Sequence, residues 1–168
     1  HSFAAEFCVM KESILHTVAE LFQKYGIRSV SMDDIAQHLG ISKKTIYQFF
    51  ADKNDLVKTI TIQIVGAKLQ EYRDVKDIAS NAIEELYITA KLIRKHFTEL
   101  NPAFMYDLKK YHTEAWEVFS NHEKEVVLSA VIKTLERGKQ EGYFRPEINS
   151  AVLAKIRFEQ IQLTFDEH

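Results

Sequence analysis

The sequence has few of the residues that interrupt long helices. Its 168 residues include two prolines and five glycines, which disfavours a turn-rich sandwich. The single cysteine, Cys8, excludes a disulfide within the chain and is typical of a reducing compartment. No apolar run approaches the roughly 20 residues that span a bilayer, and no basic region precedes the apolar start, as a signal peptide requires. We therefore expect a cytoplasmic protein without a membrane segment.

The chain also lacks an excess of positive charge. Its net charge is −2, so any contact with nucleic acid must come from a local basic patch. The hydrophobic fraction of 46% and the charged fraction of 27% are ordinary for a globular protein. At this length, folding buries roughly 70% of the unfolded chain's surface, and no disulfide or metal is needed to stabilise the core.

Apolar residues recur at three- and four-residue spacing through most of the chain, which predicts an all-α fold. Glycines and the Asn101-Pro102 pair indicate helix ends, and Ser31 (with Asp34), Ser42 and Asp52 indicate N-caps. The predicted helices cover residues 13–25, 32–39, 43–50, about 53–72, 78–97, 103–111, about 113–140, and a last stretch from about 150. Residues 141–150 are the predicted loop.

The segment from Ile35 to Lys53, IAQHLGISKKTIYQFFADK, has the spacing of a helix-turn-helix. Gly40 permits a sharp turn after the second helix, and Ala36 is small enough for the third helix to cross it. The expected interior residues are Ile35, Leu39, Ile41, Ile46 and Phe49. The other side of the third helix then exposes Lys43, Lys44, Thr45, Tyr47 and Gln48.

These exposed side chains have the chemistry that a DNA major groove requires. Lysine neutralises phosphate, glutamine pairs with an adenine edge, and threonine offers a hydroxyl and a methyl group. Adjacent lysines at a helix start are also common on a solvated face, and similar αα-hairpins occur in proteins that do not bind DNA. The coincidence of turn glycine, small residue, core pattern and exposed cations favours DNA binding.

The stretch from Ile14 to Val57 resembles the N-terminal domain of the TetR family of bacterial transcriptional regulators. The matching motifs are AELFQKYG at residues 19–26, SMDDIA at 31–36, and GISKKTIYxxFxxKxxL at 40–56. The match covers about a quarter of the chain. The rest is similar only in its helix order and in a GxFR turn at Gly142 to Arg145.

The resemblance implies a homodimeric, ligand-responsive repressor that binds a palindromic double-stranded DNA operator. It implies a helix-turn-helix DNA-binding domain at 9–55 and a ligand-binding and dimerisation bundle at 56–168, linked by the fourth helix. The matching positions imply phosphate contacts by Tyr47 and Lys53, further contacts by Ser31 and Ser42 at helix N-termini, and base contacts by Lys43, Lys44, Thr45 and Gln48.

Two positions depart from the family pattern. Asp33 stands where a basic residue is frequent, and a carboxylate near phosphate weakens binding. Lys44 replaces a residue that is commonly small, so the third helix is expected to lie further from the groove floor.

The last helix is apolar on several sides, which predicts that a second copy covers it. Its apolar residues are Ala154, Ile156, Phe158, Ile161, Leu163 and Phe165.

The resemblance also implies a pocket for a small apolar or aromatic effector in the C-terminal bundle. The aromatic residues around the break at Pro102 are the candidates. We predict that the pocket is lined by Tyr87, Phe104, Tyr111, Trp116 and Phe119, with Phe97 in the wider set. Each is an ordinary core residue in the alternative interpretation. In a further alternative, the bundle binds a protein partner instead of a small ligand.

Nothing in the sequence is typical of an enzyme. We find no nucleophile–base pair and no phosphate-binding glycine loop. His96, His112 and His122 lack the spacing of zinc ligands, and we interpret them as structural or surface residues. The sequence therefore predicts no catalytic residues, no metal and no cofactor; detectable turnover would favour a helical-bundle enzyme instead.

Overall fold

The computed structural model describes the chain over residues 2–166, without the side chains of residues 2–4, 97, 123 and 161–166. Over that range the chain is helical, with no strand, which confirms the predicted all-α fold. The helices are α1 (Ser2–Tyr25), α2 (Met32–Leu39), α3 (Lys43–Ile46), α4 (Lys53–Ile78), α5 (Ala82–Glu99), α6 (Pro102–Tyr111), α7 (Thr113–Gln140) and α8 (Ser150–Asp166). The predictions on Phe97, Ile161, Leu163 and Phe165 lie outside the described side chains.

Four helices, α1, α3, α4 and α5, differ from their predicted bounds by more than one residue. α1 begins at Ser2, and α3 ends at Ile46 because the next residues form turns, with Gln48 N donating to Thr45 O at 3.2 Å. α4 continues to Ile78, and α5 begins after Asn81, whose Oδ1 accepts from Glu84 N at 3.0 Å. The placement of Ile78 on the apolar stripe of the next helix was wrong; its side chain is 67% exposed.

The chain divides into two compact units. The first unit contains the residues up to Ile64 together with Glu99–Phe119, and the second contains Val65–Thr98 and the residues from Ser120 onward. α6 therefore belongs to the same unit as the helix-turn-helix. The assignment of functions to residues 9–55 and 56–168 stays a prediction.

The core of the first unit explains how the helix-turn-helix is held. Ile35 and Ile46 are fully buried, as predicted, whereas Leu39, Ile41 and Phe49 are partly exposed and Phe50 takes an interior place. α1 contributes four fully buried side chains, Ile14, Leu15, Val18 and Phe22. Burying each such side chain stabilises the fold by about 1.5–3 kcal/mol. The N-terminal extension of α1 also takes part, because the rings of Phe7 and Phe49 stack with centroids 4.2 Å apart.

The second unit combines an apolar core with a buried polar network. The core is formed by Ile93, Val127, Val131, Leu135, Ala154 and Phe158. Beside it, the buried Glu85 carboxylate accepts from Thr134 Oγ1 at 2.7 Å and from Arg137 Nη1 at 2.8 Å. Arg137 Nε also donates to Glu141 Oε1 at 2.6 Å. Because each charge has a partner, the network joins α5 to the end of α7 without leaving a buried group unsatisfied.

His96 is a buried histidine of the second unit. Its Nδ1 lies 3.0 Å from Tyr72 Oη and its Nε2 lies 3.2 Å from Glu71 Oε2, so α5 is tied to α4. Burial lowers the pKa of His96 below its ordinary 6.5, although the hydrogen bond to Glu71 acts in the opposite direction. The neutral ring is therefore the form that the fold favours.

We expect His96 to make the stability of the protein depend on pH. Above pH 6.5 the ring is neutral in both states and its contribution is complete; as pH falls through the lowered folded pKa, the unfolded chain takes up a proton first and stability is lost. The midpoint temperature of thermal unfolding should decrease as the pH is lowered from about 7.5 to about 5. In His96→Gln this decrease should be smaller. The same change at the exposed His16 is the control, and an equally flattened curve for that variant would contradict the assignment.

Candidate nucleic-acid interface

The N-terminus of α2 is closed by a reciprocal cap. Asp34 N donates to Ser31 Oγ at 3.1 Å, and Ser31 N donates to Asp34 Oδ2 at 2.8 Å. The Ser31 hydroxyl also donates to that carboxylate at 2.6 Å. These bonds lower the pKa of Asp34, the bond from the Ser31 side chain most of all. The predicted capping box is confirmed, and it fixes where the chain enters the helix-turn-helix.

The turn between α2 and α3 depends on Gly40. This residue has φ +64°, its N–H donates to Gln37 O at 3.2 Å, and the N–H of Ile41 donates to Ala36 O at 3.1 Å. The two bonds satisfy the last carbonyls of α2 in a Schellman motif. No atom lies within 4 Å of the position that a Cβ would take. Glycine is therefore favoured here by backbone conformation alone.

α3 is a single turn capped by Ser42. The Ser42 hydroxyl accepts from Thr45 N at 3.0 Å and lies 2.8 Å from Thr45 Oγ1. The capped turn and the residues after it form what we name the α3 surface, which consists of Lys43, Lys44, Thr45, Tyr47 and Gln48. Four of these side chains are exposed and Thr45 is partly exposed. The structure thus brings the predicted base-contacting residues together on one exposed segment.

One lysine of the α3 surface is paired within the protein. Lys43 Nζ lies 2.9 Å from Asp33 Oδ1 and 3.1 Å from Asp33 Oδ2. The hydrogen bond to Asp33 raises the pKa of Lys43. Among the described side chains, Lys44 has no such partner. An approaching anion therefore meets a neutralised ion pair at Lys43 and a full positive charge at Lys44.

Lys53, which the sequence predicts to contact a phosphate, is bound to carbonyls within the protein. Its ammonium donates to Ile27 O at 2.7 Å and to Val30 O at 2.6 Å, and it lies 5.8 Å from the centroid of the Phe22 ring. Burial lowers the pKa of Lys53, against the attraction of Asp107 and Asp34. Two of its three N–H groups are thus used inside the protein, because the α1–α2 connection leaves two carbonyls facing the start of α4.

α6 holds the same connection from another side, which the sequence interpretation missed. Arg28 N donates to Asp107 Oδ2 at 2.8 Å, and Asn101 Nδ2 donates to Gln23 O at 2.6 Å. Asp107 is only 8% exposed. The sequence did contain a sign of this contact. Asp107 follows Phe104 by three residues, so it lies on the same, buried side of α6.

The five residues predicted to line an effector pocket do not share one environment. Phe104 and Phe119 are buried, and the Trp116 ring stacks on Phe119 with centroids 5.9 Å apart. Tyr111 is exposed and lines a cleft of about 380 Å³, and Tyr87 of the second unit is 60% exposed. The pocket stays a prediction.

The described part of the chain contains no candidate for a membrane-crossing helix or for a metal site of three or more ligands. None of its helices combines the length and apolar character that crossing a membrane requires. Its histidine, cysteine and acidic side chains form no group of three or more that is placed to hold a metal ion.

Comparison with known proteins identifies the N-terminal part of the chain. Residues 14–60 match the bacterial regulatory proteins of the tetR family. YvaF of Bacillus subtilis, described as an uncharacterised helix-turn-helix-type transcriptional regulator, is 29% identical over 143 residues, or 83% of this chain and 74% of YvaF. The helix-turn-helix-type transcriptional repressor KstR2 of Mycobacterium tuberculosis is 25% identical over 154 residues, or 81% of this chain and 70% of KstR2.

The fold is similar to that of a solved regulator. The structure of FadR from Bacillus subtilis in complex with stearoyl-CoA matches with a TM-score of 0.65 and covers 93% of this chain and 84% of FadR. The sequences are 20% identical, so this similarity concerns the fold. The match at residues 14–60 spans the capped helix-turn-helix and confirms the family resemblance. Residues 14–60 thus match the tetR family of bacterial regulatory proteins, and over about four fifths of its length the chain is similar to helix-turn-helix-type transcriptional regulators.

Proposed function

We propose that the protein is a ligand-responsive repressor that binds a palindromic operator as a homodimer. The observation that carries the proposal is the capped helix-turn-helix whose exposed side is the cationic and polar α3 surface. Its width of about one helical turn suits a major groove, where side chains reach base edges and phosphates together.

The roles within the α3 surface follow from side-chain chemistry. Lys44 carries an uncompensated charge, and Tyr47, 47% exposed, has a hydroxyl at its tip, so both suit phosphate oxygens. Gln48 and Thr45 suit base edges. Ser31 and Ser42 act through the caps that orient α2 and α3. Lys53 lies outside the proposed interface, because its ammonium is bound to the α1–α2 connection.

The homodimer is proposed from the apolar surface of α8. Val152 and Ile156, one helical turn apart, are about half exposed, at 53% and 49%. Exposed apolar side chains on one face of a helix are typical of an interface, and a second copy is the partner that a palindromic operator requires. Binding stoichiometry measured above the dissociation constant should give two chains per operator, and one chain per operator would contradict the dimer.

The effector is proposed to be a small apolar molecule. KstR2 is named a repressor and the FadR structure contains stearoyl-CoA, whereas no observation favours a protein partner for the bundle. An effector changes operator occupancy only through its different affinities for two conformations, typically by 1–3 kcal/mol. Operator titration with and without stearoyl-CoA as a probe, followed by other acyl chains, tests the class; unchanged affinity with every apolar probe would contradict it.

We expect Gln48→Ala and Lys44→Ala to weaken DNA binding in different ways. Gln48→Ala should cost about 1–3 kcal/mol on an operator selected from genomic DNA and little on random DNA, because it removes a base contact. Lys44→Ala should weaken both and reduce the log–log salt slope by about 0.9, because it removes a phosphate contact. Fluorescence anisotropy over a salt series measures both. Equal losses on the two DNAs for Gln48→Ala would refute its proposed role.

A further inference from the structure

Asp33 places a carboxylate against the α3 surface. Both of its oxygens lie within 3.1 Å of the Lys43 ammonium, so the pair joins the first turn of α2 to the first residue of α3. The side chains of Asp33 and Lys43 are 75% and 48% exposed. Exposed ion pairs contribute little to folding stability. The pair can therefore be altered without unfolding the helix-turn-helix.

The pair competes with DNA for the same ammonium. If Lys43 stays paired with Asp33 in the complex, the pair brings no net charge to the phosphates. If Lys43 contacts a phosphate instead, the Asp33 carboxylate is left unpaired beside a polyanion. Either outcome reduces the electrostatic gain relative to Lys44, which has no acidic partner among the described side chains. Base contacts by Gln48 and Thr45 do not involve this charge. The penalty therefore applies mainly to sequence-independent attraction.

We propose that Asp33 is a specificity-determining residue, which holds Lys43 and thereby weakens non-specific DNA binding relative to operator binding. The inference rests on the proposed function, DNA binding by the α3 surface. This role explains how Asp33, an acid that lowers the affinity for DNA, serves a regulator. The many competing sites in a genome are bound more weakly, and the preference for the operator then depends on the base contacts.

The test is the binding of a labelled random-sequence duplex to the full chain, by anisotropy between about 50 and 200 mM salt. Asp33→Asn is made in the parent, in Lys43→Gln and in Lys44→Gln. In the parent it should tighten binding up to about fivefold at the lowest salt and steepen the log–log salt slope by about 0.9, since Lys43 becomes free to contact a phosphate. The gain should persist in Lys44→Gln and vanish in Lys43→Gln. On the selected operator the gain should be smaller.

Three results would overturn the assignment. An equal gain in the Lys43→Gln background would show that Asp33 acts through its charge alone. Weaker binding by Asp33→Asn would show that the carboxylate positions Lys43 for DNA. Unchanged binding by Asp33→Asn, with the parent binding normally, would refute the inference and leave the proposed function intact. If the parent binds no genomic or random DNA, the proposed function itself fails. Melting curves of all variants check that they are folded.

Discussion

Gly138→Ala is expected to destabilise the protein more than any other exchange of glycine for alanine in the helices. A Cβ at residue 138 of α7 would lie 2.2 Å from Phe144 Cδ2, 2.3 Å from Phe144 Cε2 and 3.1 Å from Ala82 Cβ. The Phe144 ring cannot simply withdraw, because Phe144 N and Tyr143 N both donate to Gly138 O, at 3.1 Å and 2.8 Å. Overpacking of this kind costs about 3 kcal/mol. The better helix propensity of alanine offsets about 1 kcal/mol, so we expect a net loss of about 2 kcal/mol in urea unfolding.

A matched control for this prediction lies in α4. Gly66 is helical and exposed, and no atom lies within 4 Å of the position of its Cβ. Gly66→Ala should therefore stabilise the protein by about 0.5–1 kcal/mol. A second control, Phe144→Leu in the Gly138→Ala background, should recover part of the loss because it removes the ring atoms that clash. If the alanine at residue 138 is tolerated as well as that at residue 66, the proposed close packing of the GxFR turn is wrong.

Lys53→Met should destabilise the first unit while changing DNA binding little. Methionine keeps the contact with the Phe22 ring but leaves the carbonyls of Ile27 and Val30 without their charged donor. Hydrogen bonds to charged groups contribute about 1.5–3 kcal/mol each, and we expect a loss of about 2–3 kcal/mol after the chain relaxes. Chemical unfolding monitored by circular dichroism measures this loss.

The salt dependence of DNA binding separates this structural role from a phosphate contact. Below its melting temperature, the Lys53→Met variant should keep the parent's log–log salt slope, whereas Lys44→Met should lose about 0.9 of slope without losing stability. A Lys53→Met variant with full stability and a reduced slope would restore the phosphate contact that the sequence predicted.

Local patterns were sufficient to predict the helix-turn-helix. Ser31 with Asp34, Ser42 with Thr45, and Gly40 act within three to five residues of their partners, so their spacing alone carries the information. The same reasoning located the breaks at Pro102 and at residues 141–149. It failed at Ile78, where apolar spacing continues across a helix end and only the cap at Asn81 marks the boundary.

Contacts between distant residues could not be predicted in the same way. Lys53 and Val30 are 23 residues apart, and Arg28 and Asp107 are 79 apart. Nothing in the local sequence of Lys53 distinguishes an ammonium that binds carbonyls from one that binds phosphate. The choice depends on where the α1–α2 connection passes, which is a property of the packed unit. For the same reason, the pairing of Asp33 with Lys43 is visible only once α2 and α3 are placed together.

The shortness of α3 determines how the recognition specificity of this protein can be transferred. A helix of four residues is far below the length of about 12–15 residues at which isolated helices become stable in water. Its conformation is therefore imposed by the Ser42 cap, by the buried Ile46 and by the preceding Gly40 turn. Exchanging residues 43–48 alone would transfer the side chains that contact DNA without the cap and the turn that set their conformation. An exchange between relatives therefore has to include the whole stretch from Ser31 to Phe50, so that both caps, the Gly40 turn and Ile46 stay together on the core provided by α1.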